Sequence, residues 1–451
     1  MTRSIDPAAR YLRRDDPALF RLMASDDEEQ SRTLSLLASA SPTSPAVLAC
    51  ATGAVCPGPL PTSQERMAND GSRTWRAIEG LACERARQAF GASYADPLPE
   101  SHTAANLAVY FGLLTSGDTI LALDTDSGGH PLHASPDSPV ARYFHVVGYG
   151  LDGTRRIHYD HLAELARRHR PAMIVCGASA YPRTPDYIRL RTIADDCGAI
   201  LLADISSVAG LVVAGEHPNP IDHAHVTTTG TDAQLYGLSG GVVLAGADAA
   251  MPAGPGNRSV RARLRDAMVP LAHHGPDRGT MLAAKACALH QVMRADFGEV
   301  ARRIKASAHT LATRLIGAGR PVLSDGTDNH TVVVDVLSGG VTGVVAERAL
   351  ASCGLLVSRQ RLPMDAKPPR VGSGIQLGTN TLAARGMGPA EASRCASLID
   401  TVLRATVPHS DVDYELPEAV RGRIRDQVEQ LCAAFPLPAS PAAAEPHAPA
   451  S

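Results

Sequence analysis

Residues 199–246 read AILLADISSVAGLVVAGEHPNPIDHAHVTTTGTDAQLYGLSGGVVLAG. Three short apolar runs stand out: AILLAD (199–204), AHVTTT (224–229) and GVVLAG (241–246). Each is bounded by Gly, Pro or Asp, the signature of a buried strand. Upstream, TILALD (119–124), YFHVVG (143–148) and AMIVCG (172–177) have the same character. Between them, HLAELARRHR and YIRLRTIADDCG carry apolar residues at helical spacing, the second with a Gly stop. Strands alternating with helices predict βαβ units and a mainly parallel sheet, an α/β fold. Ligands of such sheets collect at the carboxyl ends of the strands, so polar residues there are the first candidates for function.

The texture changes after about residue 270. MLAAKACALHQVMRADFGEVARRIKASAHTLATRLIGAG predicts a long helix leading to a strand at NHTVVVDVL, a helix around 343–353, a strand at GLLVS and a last helix near 389–405. The expected organisation is a helical arm (1–28), a large cofactor-type domain (29–270), a linking helix with a smaller C-terminal α/β domain (271–433), and a Pro/Ala-rich disordered tail (434–451).

Composition narrows the function. A net charge of -3, 44% hydrophobic and 20% charged residues describe a globular chain with no electrostatic case for nucleic acid or membrane surfaces. No window reaches the roughly 18 apolar residues of a membrane span, and the N-terminus lacks a signal-peptide core. Nine cysteines without CxxC pairing favour reduced thiols and a cytoplasmic location. Basic residues are almost all Arg; Lys285, Lys305 and Lys367 are the only three lysines.

Asp204 ends a buried strand, where a carboxylate must be paired or solvated. It reads either as an N-cap or as the partner of a protonated ring nitrogen or a cation. Ser101 and Thr103 in PESHTAANLAVYFGLL precede an amphipathic helix, where hydroxyls and free amides make either a cap or an anion cradle. His130 and His133 in SGGHPLHASP lack the Cys or carboxylate that would complete a metal set. HAH at 223–225 points its rings to opposite faces, and His273 and His274 are unspecific; no metal is expected.

Together these segments resemble serine hydroxymethyltransferase, a pyridoxal-phosphate enzyme of fold type I. The resemblance spans roughly residues 17–433 and rests on LLASASPTSPAV, ERARQAFGASYADPLPESHTAANLAVYFGLLTSGDTIL, GGHPLHASP, ADISSVAGLVVAGEHPNPIDHAHVTTT and SDGTDNHTVVVDV. It implies a seven-stranded-type large domain. It puts Asp204 on the cofactor's pyridine nitrogen and His133 on its ring. Ser101 and Thr103 fall in the phosphate turn, with His102 in place of the family's glycine. Ser179 falls near the phenolic oxygen, Ser39 falls on the substrate carboxylate, and Ser207 stands where the family has a histidine.

The departures drive the functional expectation. The family's TTTTHKTLAGPRGG aligns with TTGTDAQLYGLSGG (Thr228 to Gly241), so the Schiff-base lysine falls on Ala233 and its preceding histidine on Asp232. The arginine that clamps the substrate carboxylate becomes Gln376. The family's Tyr-rich stretch becomes LPTSQERMANDGS (60–72). With base and clamp missing, ordinary transfer between serine and tetrahydrofolate is not expected, and pyridoxal phosphate would bind only non-covalently. Three alternatives remain. One is a non-standard transferase or lyase acting on a small amine, aldehyde or amino-acid-derived ligand, with Asp232 as acid/base helped by His133 or His102. The others are a silent subunit paired with an active relative, or a plain cofactor binder. The first is favoured, because polar replacements with Asp204 intact do not resemble decay. A homodimer, or a heteromer with an active relative, is the expected assembly.

Overall fold

The computed structural model describes residues 7–52, 73–253, 257–272 and 278–438. The stretch 60–72, His273, His274 and the tail from 439 onward lie outside the described residues.

Seven strands form the central sheet: β1 (Tyr94–Asp96), β2 (Thr119–Leu123), β3 (His145–Tyr149), β4 (Met173–Gly177), β5 (Ile200–Asp204), β6 (Val226–Gly230) and β7 (Gly241–Ala245). Their order is β1-β7-β6-β5-β4-β2-β3. Neighbours are parallel except at β6–β7 and β1–β7, so β7 alone runs against the rest. All six expected strands of this region are present, and β1, not expected from the sequence, closes one edge.

Both faces of the sheet are covered. Met173 and Val175 of β4 and Leu202 of β5 face one core with Val109, Tyr110 and Leu264. Ile174, Cys176, Leu201 and Ala203 face the other with Leu162 and Leu190. Alternate residues buried on opposite sides are why these strands read as continuous apolar runs.

The helices that bear on the site are α1 (Pro45–Thr52), α2 (His102–Leu113), α3 (Arg278–Val292) and α4 (Ala295–Gly317). The long helix expected after residue 270 is therefore two helices. The chain leaves helical geometry at Arg294 (φ -74°, ψ 150°), and the Phe297 amide bonds back to the Arg294 carbonyl. α4 then serves two cores: Phe297, Ala301 and Ile304 pack with the large sheet, while Ala308, Leu311 and Leu315 pack with the C-terminal unit. That unit holds an antiparallel sheet of β8 (Thr331–Asp335), β9 (Ser358–Gln360) and β10 (Gly374–Gly378), in the order β9-β10-β8. A further helix, Glu418–Ala434, follows the one expected to be last. Among the described residues, no helix is long and apolar enough to cross a membrane.

His330, just before β8, ties the N-terminal segment to this unit: its Nε2 donates to the Ala38 carbonyl at 3.1 Å. Burial pushes its imidazole down to about 4. His130, discussed below, is pushed to about 4 for the same reason. Below about pH 6.5 the unfolded chain takes up protons that both folded imidazoles refuse, so acidification favours unfolding. Stability should fall between about pH 6.5 and 4, by on the order of 2 kcal/mol or more per group. Urea melts at pH 7 and 5 check this: His330→Gln, which keeps the donor, should show the shallower pH dependence. An unchanged slope refutes it.

Candidate functional site

The site lies where the carboxyl ends of β4, β5 and β6 meet the N-terminus of α2. Ser101 caps α2, its Oγ accepting from the Ala104 amide at 3.1 Å. The cap is held from below by Lys285 of α3, a buried ammonium that donates to the carbonyls of Pro97 (2.6 Å), Pro99 (2.5 Å) and Gly241 (3.1 Å). β7 starts against the same turn. A methyl group on Gly241 would lie 2.2 Å from the Ser101 carbonyl, so only glycine fits there.

Asp204, at the end of β5, is the hub. Its Oδ2 accepts from Asn106 Nδ2 (2.8 Å) and His133 Nε2 (3.1 Å); its Oδ1 accepts from the Ser206 amide (3.0 Å) and hydroxyl (2.5 Å). Burial alone would raise its pKa, but the bonds from His133 and Ser206 and the nearby imidazoles outweigh that and hold it below the usual carboxylate range. Asp204 therefore stays an anion.

Because a carboxylate only accepts, His133 Nε2 donates to it, and Nδ1 of the same ring is hydrogen-bonded to the Tyr110 hydroxyl at 2.7 Å. Both nitrogens of this buried ring are engaged. Asn106 also donates to the His102 carbonyl (3.1 Å) and accepts from Thr228 Oγ1 (2.7 Å), so one amide joins α2, β5 and β6.

The histidines form a wall. His102, the first residue of α2, meets the His130 ring edge-on with centroids 5.3 Å apart, and His130 lies 5.4 Å from His133. Nδ1 of His130 accepts from the Leu132 amide. Thr103 Oγ1 is 3.4 Å from His102 Nε2.

The other expected residues are more dispersed. The Ser207 hydroxyl donates to the Ala178 carbonyl at 2.9 Å. Gln376 of β10 donates to the Ser179 carbonyl at 2.6 Å, so its amide meets backbone beside β4. Ser39 is exposed in the turn after Ala38, whose carbonyl also accepts from Asn380. Asp232 opens the short helical turn Ala233–Leu235 without a side-chain capping bond, and Ala233 has a positive φ of 40°. Gln234 is fully buried and donates to Asn380, anchoring this loop to the C-terminal unit.

The framework of this site is shared with known proteins. The sequence pattern described as serine hydroxymethyltransferase matches residues 12–399. The chain belongs to the serine hydroxymethyltransferase family. The serine hydroxymethyltransferase of Desulforapulum autotrophicum is 37% identical over 424 residues, covering 94% of this chain and 96% of that protein. Membership makes it a transferase of fold type I, with the central, mostly parallel sheet described above. It also corrects the expectation drawn from the departures alone. A non-standard enzyme, a silent subunit or a bare cofactor binder is overturned by this near full-length likeness, which supports the family's ordinary reaction. The expectation that tetrahydrofolate is excluded loses its basis with it.

Three residues of the network escaped the sequence reading: Asn106, Tyr110 and Ser206. Asn106 carried a signal, since it is a lone amide on the buried face of α2 that includes Ala105, Val109, Tyr110 and Leu113.

The family implies pyridoxal phosphate, and two ends of the site fit it. An ionised, desolvated Asp204 suits a protonated ring nitrogen, and the capped start of α2 suits a phosphate. The third end does not fit: Ala233 offers no amine. Lys285 is committed to three carbonyls, Lys305 donates to the Glu216 carbonyl and Lys367 pairs with Asp411.

The approach of His133 to Asp204 depends on Gly177, where a methyl group would lie 2.9 Å from both His133 Nε2 and Asp204 Cβ. Gly177→Ala should cost about 1–3 kcal/mol by overpacking. Gly80→Ala, on a helix surface with nothing within 4 Å, should be neutral or mildly stabilising. Thermal melts of the two variants decide; equal melting temperatures would discount the constraint at Gly177.

Proposed function

We propose that the chain carries out the hydroxymethyl transfer of its family, between serine and a tetrahydrofolate acceptor. It does so on pyridoxal phosphate held without a covalent bond from the loop between β6 and β7. The near full-length likeness to a serine hydroxymethyltransferase carries this reading. Bound pyridoxal phosphate supplies an electron sink for the amino acid's α-carbon.

The residues divide the remaining work. Asp204 balances the charge of the ring nitrogen, and His133, with both nitrogens engaged, offers its ring face. Ser101, Thr103 and the first amides of α2 receive the phosphate, Ser179 and Ser207 border the phenolic oxygen, and Asp232 is the acid/base nearest the position of the missing amine. Ser39 and Gln376 meet the substrate carboxylate. A neutral amide there gives up a charge-assisted contact of about 1.5–3 kcal/mol, which raises the serine concentration needed by roughly tenfold to over a hundredfold. A homodimer remains the proposed assembly.

The first test is equilibrium binding of pyridoxal phosphate, with glycine formed from serine followed in the presence of tetrahydrofolate. Binding and turnover are expected in the wild type, and both should be lost in Asp204→Ala. No glycine at saturating cofactor, or the same rate without cofactor, would sink the proposal.

Two substitutions test the departures. Ala233→Lys should gain one cofactor mass after borohydride reduction while the wild type gains none; labelling of both would place the covalent bond elsewhere. Gln376→Arg should lower KM for serine by about tenfold or more; an unchanged KM would remove Gln376 from the substrate site.

A further inference from the structure

The helix Glu418–Ala434 delivers the chain to an apolar groove. Its end is held by the buried guanidinium of Arg385, whose Nη1 donates to the Phe435 carbonyl at 2.9 Å. Nη2 of the same residue donates to the carbonyls of Gln30 (2.9 Å) and Thr33 (3.1 Å), which fixes the end of this helix to the N-terminal arm. Just beyond, Pro438 lies on the wall of the groove, together with Ala384, the neighbour of Arg385. The chain therefore passes into residues 439–451 from an anchored point at the groove's rim.

The groove has a volume of about 390 Å³, inside the roughly 300–1,000 Å³ range of ligand sites. Its walls come from three further parts of the chain: Pro42 and Pro45 before and at the start of α1, Leu235 and Tyr236 of the β6–β7 loop, and Phe297 and Val300 of α4. The Tyr236 and Phe297 rings meet edge-on with centroids 6.1 Å apart. This is a surface of rings and proline faces.

The sequence that follows suits those walls. From Pro438 the chain reads PASPAAAEPHAPAS, with prolines spaced P-x-x-P at 438 and 441 and again at 446 and 449, and Glu445 as its only acidic residue. Segments of this kind favour the polyproline II conformation, which loses little entropy on docking and seats in grooves lined by aromatic rings. A segment tethered at the rim also has an effective concentration in the millimolar range, so a modest intrinsic affinity suffices. A separate partner would lack that advantage.

We propose that the groove is the docking site of this chain's own C-terminal segment, with Pro438–Pro441 seated against Tyr236 and Phe297. Docking there clamps the β6–β7 loop to α4 and to Ala384 of the C-terminal unit. The clamp lies beside the bonds that already join this loop to Asn380, from Gln234 Nε2 (3.2 Å) and from the Tyr236 hydroxyl (3.1 Å). The segment thus braces the loop that carries Asp232 and Ala233, whatever ligand the loop meets.

Photo-crosslinking of the full chain tests the occupant. Ala442→p-benzoylphenylalanine is irradiated in an equal mixture of 15N-labelled and unlabelled protein, and the crosslinked peptides are mapped by mass spectrometry. Crosslinks within one chain to the peptides holding Pro42–Pro45, Leu235–Tyr236 or Phe297–Val300 are expected, and Pro441→Asp should remove them. Mixed-isotope crosslinks would assign the groove to a second copy and overturn the proposal, as would crosslinks elsewhere or none. Hydrogen exchange tests the clamp. The Leu235 amide, bonded to the Asp232 carbonyl at 2.9 Å, should exchange about fivefold faster or more in Pro441→Asp. An unchanged rate overturns the bracing of the loop.

Discussion

The site depends on one buried carboxylate. Asp204 has been taken out of water, and a desolvated anion is tolerable only when its acceptor positions are filled. The donors come from three parts of the chain: Asn106 on α2, His133 in the turn after β2, and Ser206 just past β5. Satisfying Asp204 therefore sets the rotation of α2 about its axis and the position of the 130–133 turn. Ser206 extends the network, since its hydroxyl also accepts from the Gly230 amide at 3.0 Å and so places the start of the β6–β7 loop. Lys285 does the complementary work beneath, where a cation gathers carbonyls instead of an anion gathering donors.

This network explains how the family's framework persists around an altered pocket. The groups that hold Asp204 and the start of α2 act through backbone position and burial, and changing any of them would leave an unpaired polar atom in the interior. Among the departures, Asp232 makes no capping bond, whereas Gln376 is itself tied into the fold by its bond to the Ser179 carbonyl.

The strands of the central sheet were legible because they are buried on both faces and leave unbroken apolar runs. The orientation of β7 was not, since GVVLAG reads the same in either direction of pairing. Nor was β1, three residues whose pairing partner β7 lies some 150 positions away. The helix Glu418–Ala434 was missed because charged and polar residues interrupt its apolar ones, and its buried stripe is narrow: Ile424, Val428, Leu431 and Cys432. At the site, Asp204 and Ser101 announced themselves by standing at element ends. Asn106, Tyr110 and Ser206 gained their meaning from partners distant in sequence.

One helix has a mechanical consequence. α4 inserts its first turns into the large core and its last turns into the small one, and Thr379 of the C-terminal unit bonds the Ile304 carbonyl midway along it at 2.8 Å. A single rod embedded in both bodies cannot melt at one end without loosening the other. Amides along its length should therefore exchange with solvent at closely matched, slow rates, as parts of one cooperative unit. Any rotation of one body against the other about that rod has to break the bonds that join them beside it, among them Gln234–Asn380, Gln376–Ser179 and Arg183–Asp328.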